Sequence, residues 1–185
     1  VTVNHQSLIA TKAHRVVQEA KGRPVMEFGA RRAQGYDSAT YGARAAYIGG
    51  VAGTATVSAG EMFDIPVVGT MAHSFVQSFD SEYEAFKAYA LTYPDDCVLL
   101  VDTYDTLKSG VPHAIEIAKE VLEPMGKKLK GIRLDSGDIS YLSKRARAML
   151  DVAGLTYVSI SASNSLDEYL IRSLLNQGAQ LDSFG

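Results

Sequence analysis

One unit recurs along this chain: a short apolar run ends in polar residues, and a helical stretch follows. The apolar runs with their polar ends read PVMEFGARR, IPVVGTMAHS, CVLLVDTYDT, GIRLDSGD and YVSISASNS. From the second run onward they are spaced about 30 residues apart, which is the length of a strand with its crossover helix. Near-continuous apolar strands that alternate with helices predict a parallel sheet covered by helices.

The stretches between these runs carry helical periodicity. VPHAIEIAKEVLEPMG places its apolar residues on one face, and ISYLSKRARAMLDVAG and SLDEYLIRSLLNQG both close on glycine. Asp138 precedes the second of these helices and is predicted to cap it. Ser165 and Glu168 form the pattern of a capping box at the start of the third.

Polar residues at the C-terminal ends of successive strands are typical of a (β/α) barrel, which carries its active site on that face. Five units, with a sixth strand beginning at Gln180, are too few to close an eight-stranded barrel. The chain begins at Val1 rather than Met and stops in the strand-like run QLDSFG. We therefore expect an α/β fold, an incomplete (β/α) barrel of parallel strands with outer helices, in a fragment of a longer protein. An open doubly wound sheet is the alternative.

The composition excludes several classes of protein. With 185 residues, 46% hydrophobic and 21% charged, the chain resembles an ordinary globular domain. Acids and bases are interspersed at a formal net charge of -3, so no basic face predicts nucleic-acid binding. No apolar run approaches the roughly 20 residues that a membrane span needs. The single cysteine, Cys97, lies in an apolar run and is predicted to be buried, which fits a reducing cytoplasmic setting.

Two acidic residues follow neighbouring strands. Asp102 ends the run CVLLVD, and Asp135 lies in RLDSGD. Carboxylates at neighbouring strand ends repel each other unless a cation or a ligand lies between them, and magnesium bound with phosphates is the expected cation. Arg133 points to the same face as Asp135, because alternate residues of a strand share a face. Ser136 and Gly137 then turn the chain.

The stretch EFGARRAQG combines a carboxylate, an aromatic ring, a glycine and two adjacent arginines. Paired arginines fit a solvated helix face, but their place just after a strand favours anion binding. Phe28 fits either the core or a surface on which a flat heteroaromatic substrate stacks. His73, in GTMAHSF, is one of four histidines. Its place at a strand end beside Asp102 leaves a structural and a chemical role equally open.

Five motifs, EFGARRAQG, GTMAHSFVQSF, LLVDTYDT, GIRLDSGD and SNSLDE, occur in an order and spacing that closely resemble nicotinate phosphoribosyltransferases. The resemblance spans essentially all 185 residues. It implies an enzyme of NAD salvage that joins nicotinate to phosphoribosyl pyrophosphate, coupled to ATP hydrolysis. It further implies a barrel of the type II phosphoribosyltransferase kind, with residues 1–185 as part of the barrel domain. An N-terminal domain and the final strands would lie outside this chain, and the full-length protein would be a cytoplasmic homodimer.

The resemblance also implies roles for individual residues. His73 would be phosphorylated by ATP, and Asp102 would orient it. Asp102 and Asp135 would hold magnesium, and these three residues form the predicted catalytic group. Arg133 and Asp135 would contact phosphoribosyl pyrophosphate.

The remaining candidates are predicted to bind substrate. Phe28 would stack on the pyridine ring, and Arg31 would hold phosphate. The others lie in the turn after RLD and in the GTAT stretch: Ser136, Gly137, Thr54 and Ala55.

Two positions differ from the related nicotinamide enzymes. Those enzymes carry an aspartate where this chain has Ala55, and a glutamate where it has Ala72. An acid at position 55 would repel the nicotinate carboxylate, so Ala55 favours nicotinate over nicotinamide. Two alternatives stay open: another pyridine phosphoribosyltransferase, acting on nicotinamide or quinolinate, and a non-catalytic barrel that binds a nucleotide or phosphosugar. We expect these 185 residues alone to be inactive.

Overall fold

The computed structural model describes residues 2–185, with side chains from residue 3 onward, and the chain divides into two compact units. The first unit comprises residues up to 69 together with 165–173 and 183–185. The second comprises residues 70–164 and 174–182. Both contain helices and short parallel strands, which confirms the predicted α/β fold class.

Helices and strands alternate along the described residues. The helices are α1 (Thr2–Glu19), α2 (Tyr36–Ile48), α3 (Val57–Phe63), α4 (His73–Gln77), α5 (Glu82–Thr92), α6 (Val111–Ile117), α7 (Ile139–Val152) and α8 (Glu168–Asn176). The strands are β1 (Met26–Glu27), β2 (Gly53–Thr54), β3 (Val98–Leu100), β4 (Gly131–Leu134), β5 (Ser159–Ala162) and β6 (Ser183–Phe184). From residue 2 to residue 185, no helix is long and apolar enough to cross a membrane.

In the first unit, β1 and β2 pair in parallel, with Glu27 beside Thr54. Thr54 also forms a parallel bridge with Val67. Strand β2 lies in the GTAT stretch, which is not among the five predicted strands, so it is an addition to the predicted set. Gly53 belongs there because a Cβ atom would lie 2.7 Å from the carbonyl oxygen of Pro66. The small residues of this stretch therefore allow neighbouring backbones to approach.

In the second unit, β3, β4 and β5 form a parallel sheet. Leu100 pairs with Arg133, and Arg133 pairs with Ser161. The residues that fill the core between this sheet and its helices are large, apolar and fully buried: Phe86, Leu99, Ile117, Ile132, Leu150 and Ile160. Because the strands are parallel and in register, the residues that follow each of them gather at one edge. This edge carries the site described below.

Two local predictions are confirmed and one is wrong. Cys97 is fully buried, and burial raises the pKa of its thiol to about 12, so it is an inert core residue. The Asp138 carboxylate accepts a hydrogen bond from the backbone N–H of Tyr141 and caps α7. The capping box is misplaced, because α8 begins at Glu168 and Asp167 accepts the capping hydrogen bond from the backbone of Leu170.

Gly110 gives a direct test of the packing around β3. It ends the π-helical turn Thr106–Gly110, and a Cβ atom there would overlap the carbonyl oxygen of Val101. We expect Gly110→Ala to destabilise the protein by about 1–3 kcal/mol, because either the turn or the strand end must shift. Urea unfolding measures this effect. Gly69→Ala is the control, since nothing lies within 4 Å of a Cβ atom there. Equal stability of both variants would contradict the close packing.

Candidate active site

The carboxylate of Asp102 joins the chain segments that follow β3 and β4. Its Oδ2 accepts hydrogen bonds from the backbone N–H of Asp135 at 2.8 Å and from the Ser136 hydroxyl at 2.6 Å. Its Oδ1 is buried and has no hydrogen-bond partner among the described residues. A buried carboxylate oxygen without a partner is costly. Oδ1 is therefore a place where a cation or a donor from a ligand would be stabilised.

Asp135 is held in its ionised form. Its Oδ1 accepts hydrogen bonds from Arg133 Nη2 at 2.8 Å and from the Ser163 hydroxyl. Burial by itself would raise the pKa of Asp135, but the hydrogen bonds from Ser163 and Arg133, with the charge of Arg133, bring that pKa below its ordinary value. Asp135 is consequently a carboxylate at neutral pH.

The Arg133 side chain is anchored on three sides. Besides the contact with Asp135, its Nε donates to Ser163 Oγ at 2.8 Å and its Nη1 donates to Thr70 Oγ1 at 2.8 Å. Arg133 and Asp135 therefore do share one face of the strand, as their spacing predicts. The guanidinium holds the negative charge of Asp135 in place and brings Thr70 to the same edge.

His73 is the first residue of α4 and faces both carboxylates. Its Nδ1 lies 3.0 Å from Thr103 Oγ1. Its Nε2 lies 3.5 Å from Asp135 Oδ2 and 4.0 Å from Asp102 Oδ1. Asp135 is thus the nearer carboxylate, whereas the sequence predicted Asp102 as the partner, and Thr103 is an additional contact. The imidazole is 37% exposed, so a ligand can reach it.

The first unit contains a separate polar cluster around Glu27. Its Oε1 accepts a hydrogen bond from the backbone N–H of Gly29 at 2.5 Å. Its Oε2 accepts from the hydroxyls of Thr54 at 2.5 Å and of Thr56 at 3.3 Å. Thr54 is fully buried, and its hydroxyl oxygen also accepts from the backbone N–H of Thr56. The predicted substrate-binding Thr54 therefore supports the β1–β2 pair.

The other candidates of the first unit are more accessible. Ala55 is exposed, and its backbone N–H donates to the carbonyl of Glu27 at 2.9 Å. Arg31 is exposed on the 3-10 turn Ala30–Arg32. Phe28 is half-buried, and a Cβ atom on Gly185 would overlap its ring. Both Ala55 and Arg31 are free to approach a ligand.

Five of the predicted residues form one contact network in the second unit: His73, Asp102, Arg133, Asp135 and Ser136. Gly137 follows them with a φ of 77°, a conformation that glycine adopts without strain.

Three contacts in this network were not foreseen: Thr70, Thr103 and Ser163. Thr103 follows β3 and Ser163 follows β5, two strands that the sequence predicts. The strand predicted before Thr70 is reduced to a single bridge at Val67. Adjacency to Asp102 is the signal that would have suggested Thr103.

Two carboxylate oxygens of this site are of the kind that magnesium takes together with substrate phosphates. Asp102 Oδ1 and Asp135 Oδ2 both face His73 Nε2. Within the range 2–185, no group of three or more His, Cys, Asp or Glu side chains is arranged to hold a metal ion. Magnesium commonly takes one or two carboxylates and completes its shell with water and substrate phosphates. The two oxygens match that pattern rather than a metal site built from protein alone.

Comparison with known proteins identifies the family. Residues 24–181 match the profile of the Nicotinate phosphoribosyltransferase (NAPRTase) family. The chain belongs to this family. This membership confirms the resemblance found in the sequence motifs.

The chain is similar to several nicotinate phosphoribosyltransferases. It is 54% identical over 183 residues to that of Bacillus subtilis, a match that covers 99% of this chain and 37% of the relative. It is 52% identical to pncB2 of Mycobacterium tuberculosis, of which it covers 39%. The chain thus spans less than half the length of these relatives.

Solved structures of the family share the fold. The human nicotinic acid phosphoribosyltransferase is 30% identical with a TM-score of 0.84, over 98% of this chain and 47% of that one. A nicotinate-nucleotide pyrophosphorylase from Pyrococcus furiosus is 31% identical with a TM-score of 0.80, over 98% of this chain and 46% of that one. The fold is therefore that of the corresponding part of these proteins.

The contribution of the Asp135 charge to the stability of the fold can be measured. We expect Asp135→Asn to lower the free energy of unfolding at pH 7 by about 1–3 kcal/mol, because Arg133 loses its ionic partner. The pKa of Asp135 is lower in the folded state, so this contribution is present above about pH 4 and is lost as the pH falls through the folded-state pKa. Urea unfolding at pH 7 and below pH 4 measures it.

The matched control for Asp135→Asn is Asp95→Asn, which removes an exposed ion pair with Lys127. Exposed pairs contribute at most about 1 kcal/mol, so the control should change little at either pH. A variant Asp135→Asn as stable as the parent at pH 7 would show that the Arg133 pair does not stabilise the fold.

Proposed function

We propose that the protein to which this chain belongs transfers the phosphoribosyl group of phosphoribosyl pyrophosphate to nicotinate, in NAD salvage. The products would be nicotinate mononucleotide and pyrophosphate, and ATP hydrolysis would be coupled to the transfer through a phosphohistidine. Family membership supports the reaction. The observation that carries the proposal is His73, with Thr103 at Nδ1 and the carboxylates of Asp135 and Asp102 at Nε2.

The first step would phosphorylate His73. In the tautomer that carries its proton on Nδ1, this N–H donates to Thr103 Oγ1 and fixes the ring. Nε2 then keeps its lone pair and attacks the γ-phosphorus of ATP. The new bond joins Nε2 to phosphorus, the bond from phosphorus to the bridging oxygen breaks, and ADP leaves with the electron pair. Later hydrolysis releases inorganic phosphate and restores neutral His73.

The second step would form nicotinate mononucleotide. The ring nitrogen of nicotinate supplies the electron pair for the new bond to C1 of the ribose, while the bond from C1 to pyrophosphate breaks. Positive charge develops on the sugar and negative charge on the leaving group, and arginine side chains stabilise the latter. We assign this role to Arg133. Arg31 stays a predicted phosphate ligand, and Phe28 a predicted stacking partner of nicotinate. No general base is needed, because the nitrogen already carries a lone pair.

We assign magnesium to Asp102 Oδ1 and Asp135 Oδ2. The bound ion would supply electrostatic stabilisation of phosphate oxygens. Ser136 and Arg133 hold the other oxygen of each carboxylate, so both carboxylates stay oriented with or without a ligand. We also expect a cytoplasmic homodimer, as the family resemblance implies.

Replacing His73 tests the phosphohistidine. With the protein as its gene encodes it, including any residues that flank this chain, we expect label from γ-labelled ATP to appear on the parent and to be lost from His73→Ala. The label should be stable in alkali and labile in acid. His14→Ala is the control, because His14 is exposed on α1 and its Nε2 lies 2.8 Å from Gln18 Nε2 of the same helix. Label retained in His73→Ala would show that another residue accepts the phosphoryl group.

Ala55 tests the choice of substrate. We expect Ala55→Asp to raise the KM for nicotinate at least about fivefold, because repulsion between its carboxylate and the nicotinate carboxylate costs about 1 kcal/mol or more. Ala55→Asn introduces a side chain of the same size as aspartate but without its charge, so it should raise the KM for nicotinate less. Steady-state synthesis of nicotinate mononucleotide measures both. Equal KM values for the two variants would remove charge at this position as a determinant of specificity.

A further inference from the structure

Glu82 forms a second buried polar cluster in the second unit. It is the first residue of α5, and its side chain is only 2% exposed. Its Oε2 accepts a hydrogen bond from the Ser109 hydroxyl and lies 3.1 Å from His113 Nδ1. Its Oε1 is buried and has no hydrogen-bond partner in the part of the chain that the structure describes. Glu82 therefore links the start of α5 to the helical segment that follows β3.

This cluster is not a nucleophile with its base. His113 presents the same nitrogen, Nδ1, to Ser109 at 3.4 Å and to Glu82 at 3.1 Å. A serine nucleophile needs one histidine nitrogen for its proton while the other is held by the acid. The geometry is instead that of a buried anchor made of two hydrogen bonds to one carboxylate oxygen.

One end of this anchor is fixed to the strand that carries the site. Ser109 lies in the turn Thr106–Gly110, whose first backbone N–H groups are capped by the Asp105 carboxylate. Gly110 contacts the carbonyl of Val101 so closely that a Cβ atom would overlap it. Asp102 and Thr103 come directly after Val101 in the chain. Since Gly110 packs on Val101, the neighbouring Ser109 keeps a fixed position relative to both residues.

The other end of the anchor supports the helix that carries His73. Helix α4 packs on α5 through Phe75, whose ring centroid lies 6.0 Å from that of Tyr89 and 5.0 Å from that of Phe79. Val76 of α4 is fully buried. A shift of α5 would therefore move α4, and His73 is the first residue of α4.

We propose that Glu82 is a positioning residue for His73. It holds α5, and through Phe75 also α4, against the segment that carries Asp102 and Thr103. Charge-assisted hydrogen bonds are shorter and stronger than neutral ones, so they fix this distance tightly. Apolar packing would join two helices without the desolvation cost of a buried carboxylate. We therefore infer that the Glu82 carboxylate serves to fix the geometry of the helices rather than to stabilise the fold. The inference rests on the proposed role of His73.

Glu82→Gln tests the inference in the protein as its gene encodes it. The substitution keeps the size of the side chain and removes its charge. We expect kcat for nicotinate mononucleotide synthesis to fall about 10- to 100-fold, because small displacements of reacting groups have effects of this size. The KM for nicotinate should change by less than about twofold. In parallel, the imidazole 15N resonances of His73 should shift, because the Thr103 contact changes.

Three further variants and one control separate positioning from stability. His113→Leu removes one donor and should lower kcat, whereas His113→Gln keeps a donor and should restore most of the activity. Ser109→Ala removes only the other hydrogen bond, so it answers the question even if Glu82→Gln fails to fold. Lys127→Met is the control, because it breaks an exposed ion pair with Asp95 before β3. Its kcat should equal that of the parent.

The outcomes distinguish the two proposals. A parent protein that makes no nicotinate mononucleotide would contradict the proposed function, while the His73 resonances would still report on the anchor. Folded Glu82→Gln and Ser109→Ala with parental kcat and unchanged His73 resonances would overturn the positioning role. A lower melting temperature of Glu82→Gln together with parental kcat would show that Glu82 stabilises the fold and does not position His73.

Discussion

Asp102 joins two strand ends through one carboxylate oxygen, and the candidate site depends on this link. Hydrogen bonds from the Asp135 backbone and the Ser136 hydroxyl hold the segment after β4 against the segment after β3. Asp135 then meets Arg133, and Arg133 brings in Thr70. The first link fixes the backbone of Asp135, and Arg133 and Ser163 then orient its carboxylate beside His73. The parallel sheet brings these segments to one edge, and the hydrogen bonds to Asp102 hold them together there.

Of the two carboxylates in the site, Asp135 forms an ion pair with an arginine, and Asp102 has one oxygen without a hydrogen-bond partner among the described residues. Arg133 neutralises Asp135, and the pKa of Asp135 is correspondingly low. Asp102 Oδ1 has no hydrogen-bond partner among the described residues, and it faces an imidazole that is partly open to solvent. Buried carboxylates of this kind are stabilised by a cation or by a protonated partner. The arrangement therefore favours a ligand that brings positive charge or a hydrogen-bond donor to Asp102 Oδ1.

The parts of the structure that the sequence predicts are those set by periodicity. Apolar runs about 30 residues apart locate β3, β4 and β5, and parallel strands bring Asp102 and Asp135 to one edge. Strand β2 is only two residues long and carries no periodic signal. Which carboxylate lies nearer to His73 could not be predicted either. The distances from His73 Nε2 are 3.5 Å to Asp135 and 4.0 Å to Asp102, and this small difference depends on how the side chains are placed.

The proposed phosphohistidine requires His73 Nε2 to be the atom that receives the phosphoryl group. Phosphorus NMR of protein labelled with 15N-histidine and treated with ATP measures this directly. We predict one phosphorus resonance with a one-bond coupling to Nε2 of His73, while Nδ1 keeps its proton and donates it to Thr103. A coupling to Nδ1, a coupling to another histidine, or a phosphorus resonance without nitrogen coupling would contradict it.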